Sequence, residues 1–125
     1  MIGYITLGTN DIEKSATFYD ELLATIGAGR FMEGDHFIAW ATSDDTPALS
    51  IIKPYDGNVA TVGNGVMISL LMESPQQVAD FHAKALSLGG ADEGAPGVRD
   101  GGGLNIAYFR DLDGNKLAAF TMATE

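Results

Sequence analysis

The apolar positions of the chain change their period along its first half. Residues 3–9 alternate apolar and small or polar side chains, which predicts a strand. Apolar residues then recur at helical spacing from Ile12 to Ile26, and Asn10 stands three residues before Glu13, the spacing of a capping box at a helix start. Three short apolar runs follow, and each predicts a strand: 30–33, 36–42 and 48–53.

The same order of elements returns in the second half, after a polar, glycine-containing stretch at 55–65 that is typical of a linker. A helix start is predicted at Ser74, with proline at the first helical position and Gln77 three residues after the cap. The other predicted elements are a strand at 65–72, a glycine-rich segment at 94–103, and strands at 104–109 and 116–122.

The two halves are an internal repeat. A shift of 63 residues aligns Phe18 with Phe81, and a shift of 68 aligns Trp40 with Tyr108, so the insertion lies within 92–103. Each half is therefore predicted to be a βαβββ module, and neither could bury its sheet face alone. We expect one domain over 1–125, built from module 1 at about 1–54, a linker at 55–64 and module 2 at about 65–125, with a cleft between two curved sheets.

Charge and composition limit the classes of partner. The chain carries 17 acidic and 7 basic residues, a net charge of −10, and no cysteine. Nucleic-acid binding is not expected without a basic stripe, and disulfides or thiolate metal sites are excluded. The acidity is explained either by solubility or by a potential that attracts cationic small molecules or metal ions. No apolar run is long enough for a membrane span and the start shows no signal-peptide pattern, so we expect a cytoplasmic protein.

Five residues are candidates for binding or chemistry by their residue type and place in the predicted strands, and each has a structural alternative. Trp40 and Tyr108 are either aromatic walls for a flat or cationic ligand or ordinary core. Lys53 and Arg110 are either anchors for an anionic group or solvated cations at strand ends. His36 is either an acid or base at the pocket rim or a turn residue.

Other features favour structural roles. His82 is expected to be a partly exposed helix residue that faces away from the cleft. The segment 94–103 does not match a phosphate loop, and it is expected to be either a mobile flap over the cleft or a long hairpin connection. Asp111 and Asp113 are predicted to shape a β-turn rather than to act as a catalytic pair.

Residues 4–19 and 108–117 resemble the first strand and helix and the last hairpin of the vicinal oxygen chelate superfamily. That superfamily includes glyoxalase I, bleomycin-resistance proteins, fosfomycin-resistance enzymes and extradiol dioxygenases. The resemblance implies an α+β fold in which two tandem βαβββ modules form a curved, barrel-like pair of mixed sheets around a cleft. It also implies a homodimer.

The resemblance further implies four metal-ligand positions, at symmetry-related places in the two modules. These positions fall on Tyr4, Ser50, Met67 and Ala118. None of the four is a histidine or a carboxylate, the donors that such divalent metals need. We therefore expect no metal and no other cofactor.

The leading functional hypothesis is a metal-free protein that binds and sequesters a small molecule, similar to bleomycin-resistance proteins. The alternative is a glyoxalase-like lyase or isomerase, related to lactoylglutathione lyase, or a dioxygenase, using non-standard residues with His36 as the candidate catalytic group. A third possibility is a subunit or sensor domain without a free ligand. The candidate ligand-binding residues are Tyr4, Trp40, Ser50, Lys53, Met67 and Tyr108.

Overall fold

The computed structural model describes residues 1–99 and 103–122 of the chain. Its residues group into two compact units, Met1–Val62 and Gly63–Glu125. In the part of the chain that the structure describes, no helix has the length and apolarity needed to cross a membrane.

The first unit is one helix on one four-stranded sheet. The sheet order is β1-β4-β3-β2, with β1 parallel to β4 and the other neighbours antiparallel. Helix α1 packs on β2, β3 and β4 and buries Leu22, Leu23 and Phe18 against them. The elements are β1 (Tyr4–Gly8), α1 (Ile12–Ala24), β2 (Gly29–Glu33), β3 (Phe37–Ala41) and β4 (Ala48–Ile52).

The second unit repeats this arrangement. Its sheet order is β5-β8-β7-β6, and β5 is parallel to β8. Helix α2 packs on β6, β7 and β8. The elements are β5 (Ile68–Leu71), α2 (Pro75–Ser87), β6 (Ala91–Val98), β7 (Asn105–Arg110) and β8 (Lys116–Thr121). The predicted order βαβββ, twice, is confirmed, although β5 is shorter than the predicted strand at 65–72.

The pairing of strands within each sheet follows the internal repeat of the sequence. Thr6 lies opposite Ser50 in the first sheet, and Ser69 lies opposite Ala118 in the second. Thr6 and Ser69 are related by the predicted shift of 63 residues, and Ser50 and Ala118 by the predicted shift of 68. The equivalence of Ser50 and Ala118 is therefore visible in the backbone pairing itself.

The third strand of each module departs from the predicted alignment by one residue. Trp40 lies opposite Leu49, and the residue opposite Leu117 is Phe109 rather than Tyr108. Successive side chains of a strand point to opposite faces, so a shift of one residue moves a side chain to the other side of the sheet. The predicted equivalence of Trp40 and Tyr108 is wrong, because Trp40 and Phe109 are the equivalent pair. Both of these residues are buried, so of the two alternatives for Trp40 the structure favours the core.

Helix α1 begins one residue later than the capping box predicted. The N-cap is Asp11, whose side chain accepts a hydrogen bond from the backbone N–H of Lys14. Asn10 instead exchanges two hydrogen bonds with the backbone of Ala60, at 3.1 and 2.7 Å. Asn10 thus fixes part of the predicted linker against the start of the helix.

Helix α2 begins as predicted, but one of its residues is placed differently. Ser74 is the N-cap and accepts a hydrogen bond from the backbone N–H of Gln77. His82 is buried at 5% exposure and its Nε2 lies 3.1 Å from Oδ1 of Asp92 on β6. The expectation of a partly exposed helix residue is wrong, since His82 joins the helix to the edge strand.

The first half of the glycine-rich segment, 94–98, belongs to a strand. β6 extends to Val98 and pairs with β7, with register shifts between Asp92 and Gly94 and between Gly94 and Gly97. The expectation of a flap or a long connection from 94 is wrong for 94–98, because this part is paired to its neighbour. Positions 100–102, also assigned to the flap, lie outside the described residues.

Candidate functional site

A cavity of about 540 Å³ lies on the first sheet, on the face opposite α1. Ligand cavities for small molecules are typically ~300–1,000 Å³, so this one has the size for a small organic ligand. Its lining residues all belong to the first unit: Gly3, Tyr4, Thr6, Phe31, Met32, Phe37, Ala39, Asp44, Thr46, Ala48, Ser50 and Ile52.

The alternation of side chains along the strands builds the floor of the cavity. Three of the residues of β3 and β4 that line the cavity have small side chains. Ala39, Ala48 and Ser50 are all buried. Their neighbours Trp40 and Leu49 point to α1 and are buried in the core. Small floor residues leave the space that larger side chains would fill.

A β-bulge supplies one wall. Arg30 lies opposite Trp40 and Met32 opposite Ala39, so Phe31 is an extra residue in β2. In a regular strand two successive side chains point to opposite faces. The bulge breaks this rule, and both Phe31 and Met32 line the cavity.

Phe37 forms the wall at one end, and Gly34 makes room for it. A Cβ atom added at Gly34 would lie 2.9 Å from Cε1 of Phe37. Such a distance is too short for carbon atoms in contact, so the ring occupies space that a larger residue at position 34 would deny it. The turn residue therefore sets the position of an aromatic wall.

The polar groups of the cavity are few. Asp44 and Thr46 come from the connection between β3 and β4, while Tyr4, Thr6 and Ser50 come from the strands. Among the described residues that line the cavity, Asp44 is the single carboxylate and no lining residue is cationic. This composition suits an apolar ligand with one polar or cationic group.

A cluster of hydrogen bonds and an ion pair lies on the face of the sheet opposite the cavity. Arg30 donates to both carboxylate oxygens of Asp20, at 2.9 and 2.8 Å, and Nε1 of Trp40 donates to Oδ1 of Asp20 at 2.8 Å. Hydrogen bonding from Arg30 lowers the pKa of Asp20, and the same bond raises the pKa of Arg30. The cluster ties α1 to β2 and β3, the strands that carry the cavity walls.

The structure brings two of the predicted site residues together. Tyr4 and Ser50 both line the cavity, although Tyr4 is 71% exposed and Ser50 is buried. Trp40 is buried on the opposite face, under α1, and is not among the residues that line the cavity. Lys53 and His36 are exposed and lie next to each other outside the cavity, since the backbone N–H of Lys53 donates to the carbonyl of His36 at 2.8 Å.

The remaining predicted residues belong to the second unit. Met67 precedes β5 and is 38% exposed. The Tyr108 ring has two cations near it, with Cζ of Arg99 5.7 Å and Nζ of Lys116 5.1 Å from its centre. It also packs against the backbone of Gly94, where an added Cβ would lie 2.7 Å from the ring. All three of these contacts come from its own unit.

Arg110 and Asp111 also have local partners. Nε of Arg110 donates to Glu93 at 2.9 Å, and its Nη1 donates to the carbonyl of Gly114. Asp111 is buried and accepts hydrogen bonds from the backbone N–H groups of Asp113 and Asn115. These contacts shape the β7–β8 turn, as predicted for the two aspartates.

The residues at the family's metal positions do not fit a divalent metal. Tyr4 offers a phenol, Ser50 a hydroxyl and Met67 a thioether, and Ala118 has no donor atom. In residues 1–99 and 103–122, no group of three or more histidine, cysteine, aspartate or glutamate side chains is placed to hold a metal ion.

Of the twelve residues that line the cavity, the sequence predicted two, Tyr4 and Ser50. Among the ten that it missed are the wall residues Phe31, Met32 and Phe37 and the carboxylate of Asp44. The apolar pattern placed Phe37 in the predicted strand at 36–42 without showing which face it occupies, and it gave no reason to place Phe31 and Met32 on one face. A bulge leaves no clear mark in a strand of this length. Asp44 could have been considered from the sequence, because it is a carboxylate in the predicted turn that precedes the strand of Ser50, a candidate site residue.

Comparison with known proteins agrees with this architecture. A crystal structure of a glyoxalase/bleomycin resistance protein from Albidiferax ferrireducens T118 is 37% identical, with a TM-score of 0.86, and the match covers 97% of this chain and 98% of that one. A hypothetical protein from S. aureus is 24% identical, with a TM-score of 0.73 and coverage of 97% and 92%.

A lactoylglutathione lyase from Agrobacterium tumefaciens, at 15% identity, a TM-score of 0.71 and coverage of 97% and 92%, shares the fold. No curated protein matches the chain. The family model for the Glyoxalase/Bleomycin resistance protein/Dioxygenase superfamily matches residues 1–119. The predicted fold class is confirmed, and the chain belongs to the glyoxalase/bleomycin resistance protein/dioxygenase superfamily.

Proposed function

We propose that the protein binds a small organic molecule in the cavity of the first module and does so without a resident metal. The observation that carries this proposal is the cavity itself, with its small-residue floor and its aromatic walls of Tyr4, Phe31 and Phe37. The donor chemistry at the family's metal positions supports the second half of the proposal. A bound ligand would be held by apolar contact and ring stacking.

A binding role is favoured over catalysis by the chemistry of the lining. Apart from the phenol of Tyr4, the ionisable group among the described lining residues is Asp44. His36, the candidate catalytic residue of the lyase alternative, lies in the β2–β3 turn and outside the lining. The described cavity therefore offers no imidazole for acid–base work.

The first experiment measures metal and ligand separately. Untagged protein is incubated with Ni²⁺, Zn²⁺, Mn²⁺ and Fe²⁺, desalted, and analysed for bound metal; we expect none to remain. Metal retained at about one ion per chain would overturn the metal-free part of the proposal. A thermal-shift screen of small aromatic and cationic compounds then follows, because a ligand that binds the folded state raises the unfolding temperature.

A cavity-filling variant tests the location. Ala39→Leu adds a larger side chain to the floor of the cavity and should abolish the thermal shift of any hit. Ala41→Leu is the matched control, since Ala41 lies on the same strand but outside the lining. Ligand that still stabilises Ala39→Leu fully would place binding elsewhere. Ligand recovered chemically unchanged after long incubation supports sequestration, whereas turnover would support the lyase alternative.

We also propose a homodimer as the assembly, following the family resemblance. Light scattering behind size-exclusion chromatography measures the mass directly, and a monomer at all concentrations would reject this assembly.

A further inference from the structure

The cavity has two chemically different ends, which are set by the register of β4. Tyr4 lies opposite Ala48 at the start of β4, and Phe37 lies opposite Ile52 at its end. The connection that carries Asp44 enters β4 at Ala48. The carboxylate is therefore at the Ala48 end of the cavity and the Phe37 ring at the Ile52 end, and β4 rises about 13 Å between these two residues at ~3.3 Å per strand residue.

Asp44 is available at this end. In the part of the chain that the structure describes, its carboxylate has no hydrogen bond or ion pair, whereas the neighbouring Asp45 accepts a hydrogen bond from the hydroxyl of Ser43 at 2.7 Å. Asp45 thus shapes the turn, and Asp44 lines the cavity without a structural partner. A free carboxylate beside an apolar cavity attracts a positively charged group.

Two further features favour a cation over a neutral polar group. The Tyr4 ring lines the same end of the cavity, and an aromatic face attracts a cation within about 6 Å of its centre. The net charge of −10 adds a potential over the whole surface that concentrates cations and repels anions.

We propose that the cavity selects molecules with an apolar, partly aromatic body and a single cationic end group, bound with the cation at Asp44 and Tyr4 and the body along β4 toward Phe37. This inference rests on the proposed binding function and adds the ligand class and its direction in the site.

The test uses three probes that share one ring and chain and differ in the charge of the end group: phenylbutylamine, phenylbutanol and phenylbutyrate. Isothermal titration at neutral pH measures the Kd of each. We expect the amine to bind about fivefold more tightly than the alcohol, the size of a partly exposed ion pair, and the carboxylate to bind more weakly than either.

Two variants locate the charge effect. Asp44→Asn should remove the preference for the amine and leave the Kd of the alcohol unchanged. Asp45→Asn is the matched control and should keep the preference. Thermal unfolding of both variants without probe shows that each is folded.

The outcomes separate the two proposals. Equal binding of amine and alcohol to the unchanged protein, or a preference that survives Asp44→Asn, overturns the ligand class while the binding function stands. If none of the three probes binds, or if Ala39→Leu binds them as well as the unchanged protein does, both proposals fail.

Discussion

The indole Nε1 of Trp40 donates a hydrogen bond to Oδ1 of Asp20, and the two atoms are 2.8 Å apart. The same carboxylate accepts hydrogen bonds from Nε and Nη2 of Arg30. The Asp20 side chain of α1 thus holds both β2 and β3. Phe31, which follows Arg30, and Ala39, which precedes Trp40, line the cavity on the opposite face of the sheet. The stability of the core and the shape of the site depend on the same contact.

The charge of Asp20 should appear in the pH dependence of stability. Hydrogen bonding from Arg30 lowers the pKa of Asp20 below its ordinary value of 3.8 in the folded state. A carboxyl with a lowered folded pKa stabilises the fold above its unfolded pKa, and this contribution disappears as the pH falls through the folded value. Asp20→Asn should therefore cost about 1 kcal/mol at pH 7, a modest figure because the pair is partly exposed, and the difference should shrink below pH 3.8.

Urea unfolding from neutral to acid pH measures this difference. Glu21→Gln, an exposed acidic position on the same helix, is the control and should leave the curve nearly unchanged. A cost of Asp20→Asn that stays constant down to the lowest pH would contradict a charge effect.

Trp40→Phe should destabilise the first module by about 1–3 kcal/mol. The variant removes a buried ring and leaves the Asp20 carboxylate without the indole donor. Because Trp40 is the sole tryptophan of the chain, unfolding is followed by far-UV circular dichroism rather than fluorescence. A loss below about 0.5 kcal/mol, the usual range for surface changes, would mean that the indole packing is dispensable.

Gly34→Ala should weaken ligand binding more than it weakens the fold. Its Cβ would meet the Phe37 ring at 2.9 Å, and the ring must turn away from its position at the end of the cavity. A probe that contacts the ring in its present position would force it back against the new Cβ in an off-rotamer conformation, at a cost of about 1 kcal/mol, which corresponds to roughly fivefold in the Kd of phenylbutylamine. Gly29→Ala, where an added Cβ meets nothing within 4 Å, is the control. Equal Kd values for the two variants would show that Phe37 does not contact the probe.

His82→Ala should destabilise the second module by about 2 kcal/mol. The variant opens a cavity under α2 and removes the side-chain contact between α2 and Asp92 on β6. Asp80→Ala changes an exposed residue of the same helix and should stay within about 0.5 kcal/mol of the unchanged protein. Chemical denaturation of both variants provides the comparison, and similar losses would mean that His82 is not a core residue.

The order and type of elements could be predicted because they depend on local periodicity. The Ser74 cap of α2 was predicted at the correct residue, since a proline at the next position marks the helix start. The start of α1 was placed one residue early, because Asn10 and Asp11 are both good capping residues and sequence spacing alone does not choose between them.

The candidate site was harder to predict, because it depends on which face each strand residue occupies. A one-residue error in aligning the third strands paired Trp40 with Tyr108 instead of Phe109, so the sequence did not decide between a wall and a core role for Trp40. His82 was expected to be partly exposed although the 63-residue repeat pairs it with Tyr19, which is fully buried. The internal repeat therefore indicated that position 82 is buried, but the polar character of histidine favoured the opposite expectation.

The bulge at Phe31 has a consequence for the behaviour of the chain in solution. β2 is an edge strand whose residues are all exposed, and it carries the apolar Phe31 and Met32. Regular apolar edges invite a second chain to add a strand, which begins aggregation. An extra residue interrupts the even spacing of N–H and C=O groups that such pairing requires. The distortion that turns two side chains toward the cavity therefore also protects the edge against fibril-like association.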